Sequence, residues 1–402
     1  MSQIELIGIS GPSLTEAQQA LLRPCAAVVV SRRHLPLVAG LDCRRIDIAP
    51  LPAMLAQVDE VLLTGDVAVL ASGDPLFYGI GRTLIARFGA ERVVVHPALS
   101  AVQLACARFC IPWDDLALLS LHGRSGQDIP GQVLRHAKVM LFTDQHNSPD
   151  RVAATLLAVL QECNDLDRIK TIRIRVAENL GLADERLISG SLAEIAAQTF
   201  APLNMMLVEQ SPLPETFRFG LRESEIHHSR GLITKDEVRA ATLHRLRLPA
   251  TGVFWDIGGG SGSVSLEAAR MNLELAVYTV EKNPEALQNI RANIKQYGAY
   301  NLHLISGEAP EALAGLPAPD RIFIGGSGKR LEAIIETAVA QLTEGGRIVI
   351  NAVLAATETT AVQCLQRLHL KVASSTLAVT RREYPGGEPR IFNPITLITG
   401  DK

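Results

Sequence analysis

Aromatic residues are scarce in this chain, 4% of 402, and no charge sign dominates: 39 Lys and Arg stand against 42 Asp and Glu, a net charge of −3. Both scarcities speak against a nucleic-acid-binding protein, which needs a basic face and stacking platforms. No uninterrupted apolar run reaches membrane-spanning length, and the opening segment MSQIELIG has no basic stretch before an apolar one. Neither membrane contact nor export is expected, and the predicted location is cytoplasmic. Cys25, Cys43, Cys106, Cys110, Cys163 and Cys364 form no CxxC pair, so there is no pattern for a zinc site or a disulfide framework. His227 and His228 are adjacent, point apart and have no third ligand close by in sequence, so no metal is expected. Internal repeats and low-complexity tracts are absent as well.

What is present is an ordinary globular composition, 47% hydrophobic and 20% charged. Its length exceeds what one core usually supports, which predicts two domains of roughly 200 residues. Short apolar runs at Ile4 to Ile9, Ala26 to Val30, Ala68 to Ala71, Val93 to Val95 and Val139 to Phe142 alternate with amphipathic stretches. That alternation predicts an α/β class. The segment SPLPETFRFG, with two prolines, sets a boundary between residues 1–210 and 211–402, with few contacts expected across it. Beyond it, Thr234 reads as the cap of a helix running to Leu246. Strand and helix patterns then alternate from Val253 to Val353, predicting a doubly wound parallel sheet. Two strand-like segments, Leu370 to Arg382 and Arg390 to Thr399, flank a Pro-Gly-Gly turn and predict an antiparallel hairpin at the sheet edge.

The string VFWDIGGGSGSVSLEAAR places Asp256 at the end of an apolar strand and Gly258, Gly259, Gly260, Ser261 and Gly262 in the turn before a helix. Glycines let the backbone approach a ligand, and a helix start offers unpaired N–H groups. The next strand ends at Glu281, where a carboxylate can accept both ribose hydroxyls of an adenosyl ligand. A third strand ends at Glu308 and Ala309, where the adenine edge would lie. The acid at the turn suits a cationic sulfonium better than a diphosphate.

With these elements in order, residues 230–402 resemble the class I S-adenosylmethionine-dependent methyltransferases. The strings GLITKDEVRA, FIGGSGKRLEAII, GGRIVINAV and NPITLITG are similar to the subfamily that methylates C15 of the precorrin ring and decarboxylates its C12 acetate. In the first half, VLASGDPLFYGIG with Gly73, Asp74 and Pro75, HPALSAVQLA with Ser100 and Ala101, then SLHGR, FTDQHNSP and VAENLGLADERLISGSL occur in order. Residues 3–209 thereby resemble the tetrapyrrole methylases, specifically the cobalamin-pathway branch that methylates C5. That family's first loop usually reads Gly-x-Gly-Pro-Gly; here Gly8-Ile9-Ser10-Gly11-Pro12-Ser13 puts serine at two glycine positions.

The resemblance implies a two-lobed cofactor cleft in the first half, a class I site in the second, and S-adenosylmethionine as cofactor of both. Its substrate, an anionic precorrin, requires local positive charge. Candidate clamps are Lys329, Arg330, Arg381 and Arg382, with His122 and Arg124 in the first domain, while Asn351 would orient the substrate edge. A homo-oligomer is expected. Two other readings stay open here: a first domain that only binds the macrocycle, and a class I methyltransferase acting on nucleic acid or protein.

Overall fold

The computed structural model describes residues 2–121, 128–212 and 219–402. Five parallel strands come first: Ile4–Ile9 (β1), Ala27–Val30 (β2), Arg44–Asp47 (β3), Val67–Ser72 (β4) and Val93–His96 (β5), in the order β3-β2-β4-β1-β5. The inner strands β2 and β4 are buried almost throughout because both sheet faces are covered, which is why they read as continuous apolar runs. A second sheet contains Ala117–Ser120 (β6), Lys138–Phe142 (β7), Arg173–Glu178 (β8), Arg186–Gly190 (β9) and Asn204–Glu209 (β10), ordered β6-β7-β10-β8-β9 and antiparallel apart from β6 with β7.

A third, seven-stranded sheet follows: Thr251–Ile257 (β11), Glu274–Glu281 (β12), Leu302–Ser306 (β13), Arg321–Ile324 (β14), Arg347–Ala352 (β15), Lys371–Leu377 (β16) and, after the short pair Thr380–Arg381 (β17) and Arg390–Ile391 (β18), Ile395–Asp401 (β19). Its order is β13-β12-β11-β14-β15-β19-β16, parallel as far as β15. The predicted edge hairpin differs in detail. β19 inserts between β15 and β16, antiparallel to both, so of the two hairpin strands only β16 lies at the sheet edge, and the turn carries its own two-stranded ribbon. The buried run Thr396 to Thr399 explains the insertion, since β16 alternates with exposed residues and suits an edge.

The expectation of few contacts between the halves is not met. One apolar cluster joins Val133, Leu134 and Leu156 to Leu266, Ile290 and Ile294. At its margin the hydroxyl of buried Tyr300 donates to Asp165 Oδ2 at 2.5 Å, and Lys295 Nζ donates to the Asn164 carbonyl at 3.0 Å. The helix Ser263–Met271 is consequently buried on every side from Ser263 to Arg270. It tolerates Glu267 there because that carboxylate accepts from the Leu221 N–H at 2.7 Å and faces Arg239 at 3.5 Å. Among the described residues no helix is long and apolar enough to cross a membrane.

Candidate active site

A cavity of about 840 Å³, larger than a second one in the first half, lies beyond the carboxyl ends of β11, β12 and β13, where open parallel sheets leave a crevice. Its wall includes Thr234, Gly258, Gly259, Gly260, Ser261, Glu281, Glu308, Ala309 and Asn351. The turn glycines divide by what a side chain would meet. A Cβ on Gly258 would lie 2.2 Å from the Gly326 carbonyl oxygen, on Gly259 2.3 Å from a Thr279 methyl, and on Gly262 2.9 Å from Ile290. Those three serve packing within the protein. Gly260, at φ +57° with nothing near, is the one through which a ligand can approach the backbone.

Glu281 is fixed by main-chain donors. Its Oε2 accepts from the Gly260 N–H and its Oε1 from the N–H groups of Lys282 and Asn283, each at 2.8 Å. Three of its roughly four acceptor positions are used in this way, which leaves one on Oε2 for a hydroxyl donor. Glu308 accepts from Lys282 Nζ at 2.7 Å on the exposed rim. Asn351 Nδ2 donates to Thr242 Oγ1 at 3.0 Å, which anchors its amide at the wall.

Several expected residues stand elsewhere. Thr234 caps no helix; the helix Asp236–Leu246 begins after Lys235 without a side-chain cap, and Thr234 lines the cavity instead. Asp256 is 1% exposed and off the wall, because its place in β11 turns the side chain under the helix Ser263–Met271. Burial pushes its carboxyl up to about 7 against the opposing pull of Ser265. Of the proposed clamps, Arg330 is held by Glu311 at 2.7 and 2.5 Å, outside the wall, and Lys329 is exposed beside it. Arg381 is saturated by Glu237 at 2.6 Å and Glu223 at 2.7 Å, and Arg382 is exposed. The lysines on the wall are Lys235 and Lys282, whose ammonium groups pair with Glu223 and Glu308, each at 2.7 Å. Phe392, also on the wall, carries the Arg390 guanidinium 4.9 Å from its ring centroid. Lys235 and Lys282 adjoin Thr234 and Glu281 in the chain, so local sequence places them near the site. It does not so place Arg390 and Phe392, because only the pairing of β17 with β18 brings them to the mouth.

The smaller cavity, about 500 Å³, lies between the two sheets of the first half. Ser10, Gly11 and Pro12 of the first loop line it, as do Gly73 and Ala101. Asp74, Pro75 and Ser100 do not. Asp74 Oδ1 accepts from the Leu76 N–H at 2.9 Å, the Pro75 carbonyl accepts from the Gly81 N–H at 3.0 Å, and Ser100 caps the helix Ala101–Phe109. They shape the two loops that present Gly73 and Ala101. His122 and Arg124 lie outside the described residues.

Two family profiles match the chain, the Tetrapyrrole (Corrin/Porphyrin) Methylases over residues 7–196 and the Precorrin methyltransferase domain over residues 225–399. A precorrin-6Y C(5,15)-methyltransferase [decarboxylating] from a Sinorhizobium species is 34% identical over 350 residues, spanning 86% of this chain and 82% of its own. The chain belongs to the precorrin-6Y C5,15-methyltransferase (decarboxylating) family. It is a methyltransferase with S-adenosylmethionine as methyl donor. The Mycobacterium tuberculosis member of this precorrin-6Y family is 30% identical over 91% of each chain. A shorter relative from Pyrobaculum calidifontis, named a probable cobalt-precorrin-6B C(15)-methyltransferase (decarboxylating), is 40% identical over 171 residues, 42% of this chain and 87% of its own.

Proposed function

We propose that this chain methylates a precorrin-6Y macrocycle at C5 and C15 and removes one acetate carboxyl, at C12, as carbon dioxide. The carrying observation is that the larger cavity falls within, and the smaller one mostly within, the span of a different methylase family, in one chain whose near full-length relative is named for both methylations and the decarboxylation. Residues 211–402 carry the C15 methylation and decarboxylation, in keeping with the shorter relative named for that pair alone. Residues 1–210 carry the C5 methylation.

In the larger cavity a ribose hydroxyl bonds Glu281, the backbone of Gly260 approaches the cofactor, and Glu308 and Ala309 border the adenine. The fit rests on the open space at Gly260, the fixed carboxylate of Glu281 and a volume ample for an adenosyl group. The sulfonium supplies an electrophilic methyl, so the protein's tasks are alignment and exclusion of water. Arg390, which makes no ion pair among the described residues, receives a carboxylate of the macrocycle, and Lys235 and Lys282 receive others by giving up Glu223 and Glu308. The first-half cofactor site uses Gly73, Ala101 and the loop Ser10 to Pro12. The substrate is a small molecule; neither nucleic acid nor membrane takes part, the protein works in the cytoplasm, and the chain assembles as a homo-oligomer, which sedimentation would register as a mass above 43.3 kDa.

Calorimetric titration should find two S-adenosylmethionine sites per chain. Mass spectrometry should find a product heavier by two methyl groups and lighter by one carbon dioxide. One binding site, with a singly methylated product, would reduce the first half to a macrocycle-binding module.

A further inference from the structure

The two methylations differ in their proton balance, a point that rests on the function proposed above. When a carboxylate leaves as carbon dioxide, its electron pair stays in the macrocycle. That pair can form the new carbon–carbon bond as the carbon–sulfur bond breaks, and no proton is released. At C5 no carboxyl departs. A ring carbon bonds the methyl, the carbon–sulfur pair goes to sulfur, and a hydrogen on the macrocycle must leave as a proton while its bonding pair returns to the ring. The C5 site therefore needs a base that the C15 site can do without.

Among the described residues lining the smaller cavity only Arg33 and His34 carry titratable side chains; no carboxylate is on that wall. His34 sits in the 3₁₀ turn Arg32–Val38 that follows β2. Its Nδ1 lies 3.3 Å from Ser31 Oγ and its Nε2 3.2 Å from Ser72 Oγ. Ser72 is the last residue of β4, which pairs with β2, so the ring is bridged between the carboxyl ends of two neighbouring strands. A hydroxyl can donate or accept, hence both contacts survive either tautomer and the protonated ring. Ser72 itself faces the cavity.

We propose that His34 is the base of the C5 methylation, accepting the macrocycle's proton in concert with the Ser72 hydroxyl on its Nε2. Partial burial and the adjacent Arg33 guanidinium hold the imidazole below its ordinary pKa, so at neutral pH it is free to take a proton. Ser31 and Ser72, on the elements packed beside it, present hydroxyls and no charge.

The two reactions in one chain provide the test, with His34→Gln, His34→Gly and Ala101→Trp, the last filling the cleft, made in the full-length protein. With precorrin-6Y and S-adenosylmethionine, His34→Gln should slow C5 methylation on the order of a hundredfold while carbon dioxide release and C15 methylation keep their rates. Its C5 rate should also lose the acid limb of the pH profile, and imidazole should restore C5 methylation to His34→Gly. Should Ala101→Trp abolish C5 methylation while His34→Gln keeps both rate and acid limb, the base is another group and the inference falls. Should Ala101→Trp leave C5 methylation intact, the assignment of that reaction to this cleft falls first.

Discussion

Glu281 Oε2 accepts a hydrogen bond from the Gly260 N–H at 2.8 Å, joining the end of β12 to the one turn glycine whose missing side chain opens onto the cavity. The same carboxylate thus shapes the turn and offers its remaining lone pair to a ligand. Glu281→Ala should weaken S-adenosylmethionine binding at the second-half site by roughly 1.5–3 kcal/mol, with the first-half site unchanged in the same titration. Equal loss at both sites would mean a general folding defect.

Gly258 and Gly326 separate backbone approach from ligand approach. A Cβ at position 258 would press on the Gly326 carbonyl at 2.2 Å in a left-handed conformation, whereas one at position 326 meets nothing closer than 3.7 Å. Gly258→Ala should therefore destabilise the protein by about 1–3 kcal/mol, and Gly326→Ala by under about 0.5 kcal/mol. Chemical denaturation of the two variants side by side measures the difference.

Asp256 should make stability depend on pH. Its folded pKa of about 7 lies above the unfolded 3.8, so the folded state holds the proton more tightly. That contribution is complete below about pH 4 and is lost as pH rises through about 7. Asp256→Asn cannot ionise, so its stability relative to the parent should rise between pH 4 and pH 8, by at most about 4 kcal/mol. Denaturant titrations at both ends of that range would show a flat difference if the carboxyl were ordinary.

Charge placement around the larger cavity predicts a contrast. Lys235→Met should raise KM for the macrocycle several-fold more than KM for S-adenosylmethionine, since Lys235 lines the cavity and its ammonium can exchange Glu223 for a substrate carboxylate. Lys329→Ala with Arg330→Ala should change neither by more than about twofold, an energy near 0.4 kcal/mol, because Arg330 serves Glu311 outside the wall. A macrocycle-specific effect of the double variant would return those residues to the substrate.

Tyr300→Phe tests the contact between halves. Removing the hydroxyl leaves Asp165, 6% exposed, short of a donor, and should cost about 1–3 kcal/mol of stability. Calorimetric melting should show both halves losing stability together if the shared apolar cluster couples them.

Legibility followed the range of the interactions. The strands β1, β2, β4 and β11 announce themselves because each is an apolar run covered on both faces. The strands β8 and β9 were missed: RIRVAE interleaves arginines with its apolar residues and RLISG is largely exposed, so neither stands out as an apolar run. Glu281 and the glycine turn were likewise readable, since one strand-and-turn unit creates both features.

The sequence by itself determined the α/β class, the glycine turn with its following acid, and the two family resemblances, all carried by residues close together in the chain. Tertiary structure decided which side chains face a cavity. Asp256 and Glu281 both lie near the carboxyl ends of adjacent strands, yet one is buried beneath a helix and the other reaches the wall. Arg330 and Arg381 found acids 19 and 144 residues distant, and His34 found Ser72 38 residues on. No local pattern encodes such partners, because a side chain's charge is spent or kept according to what the packed sheets bring beside it.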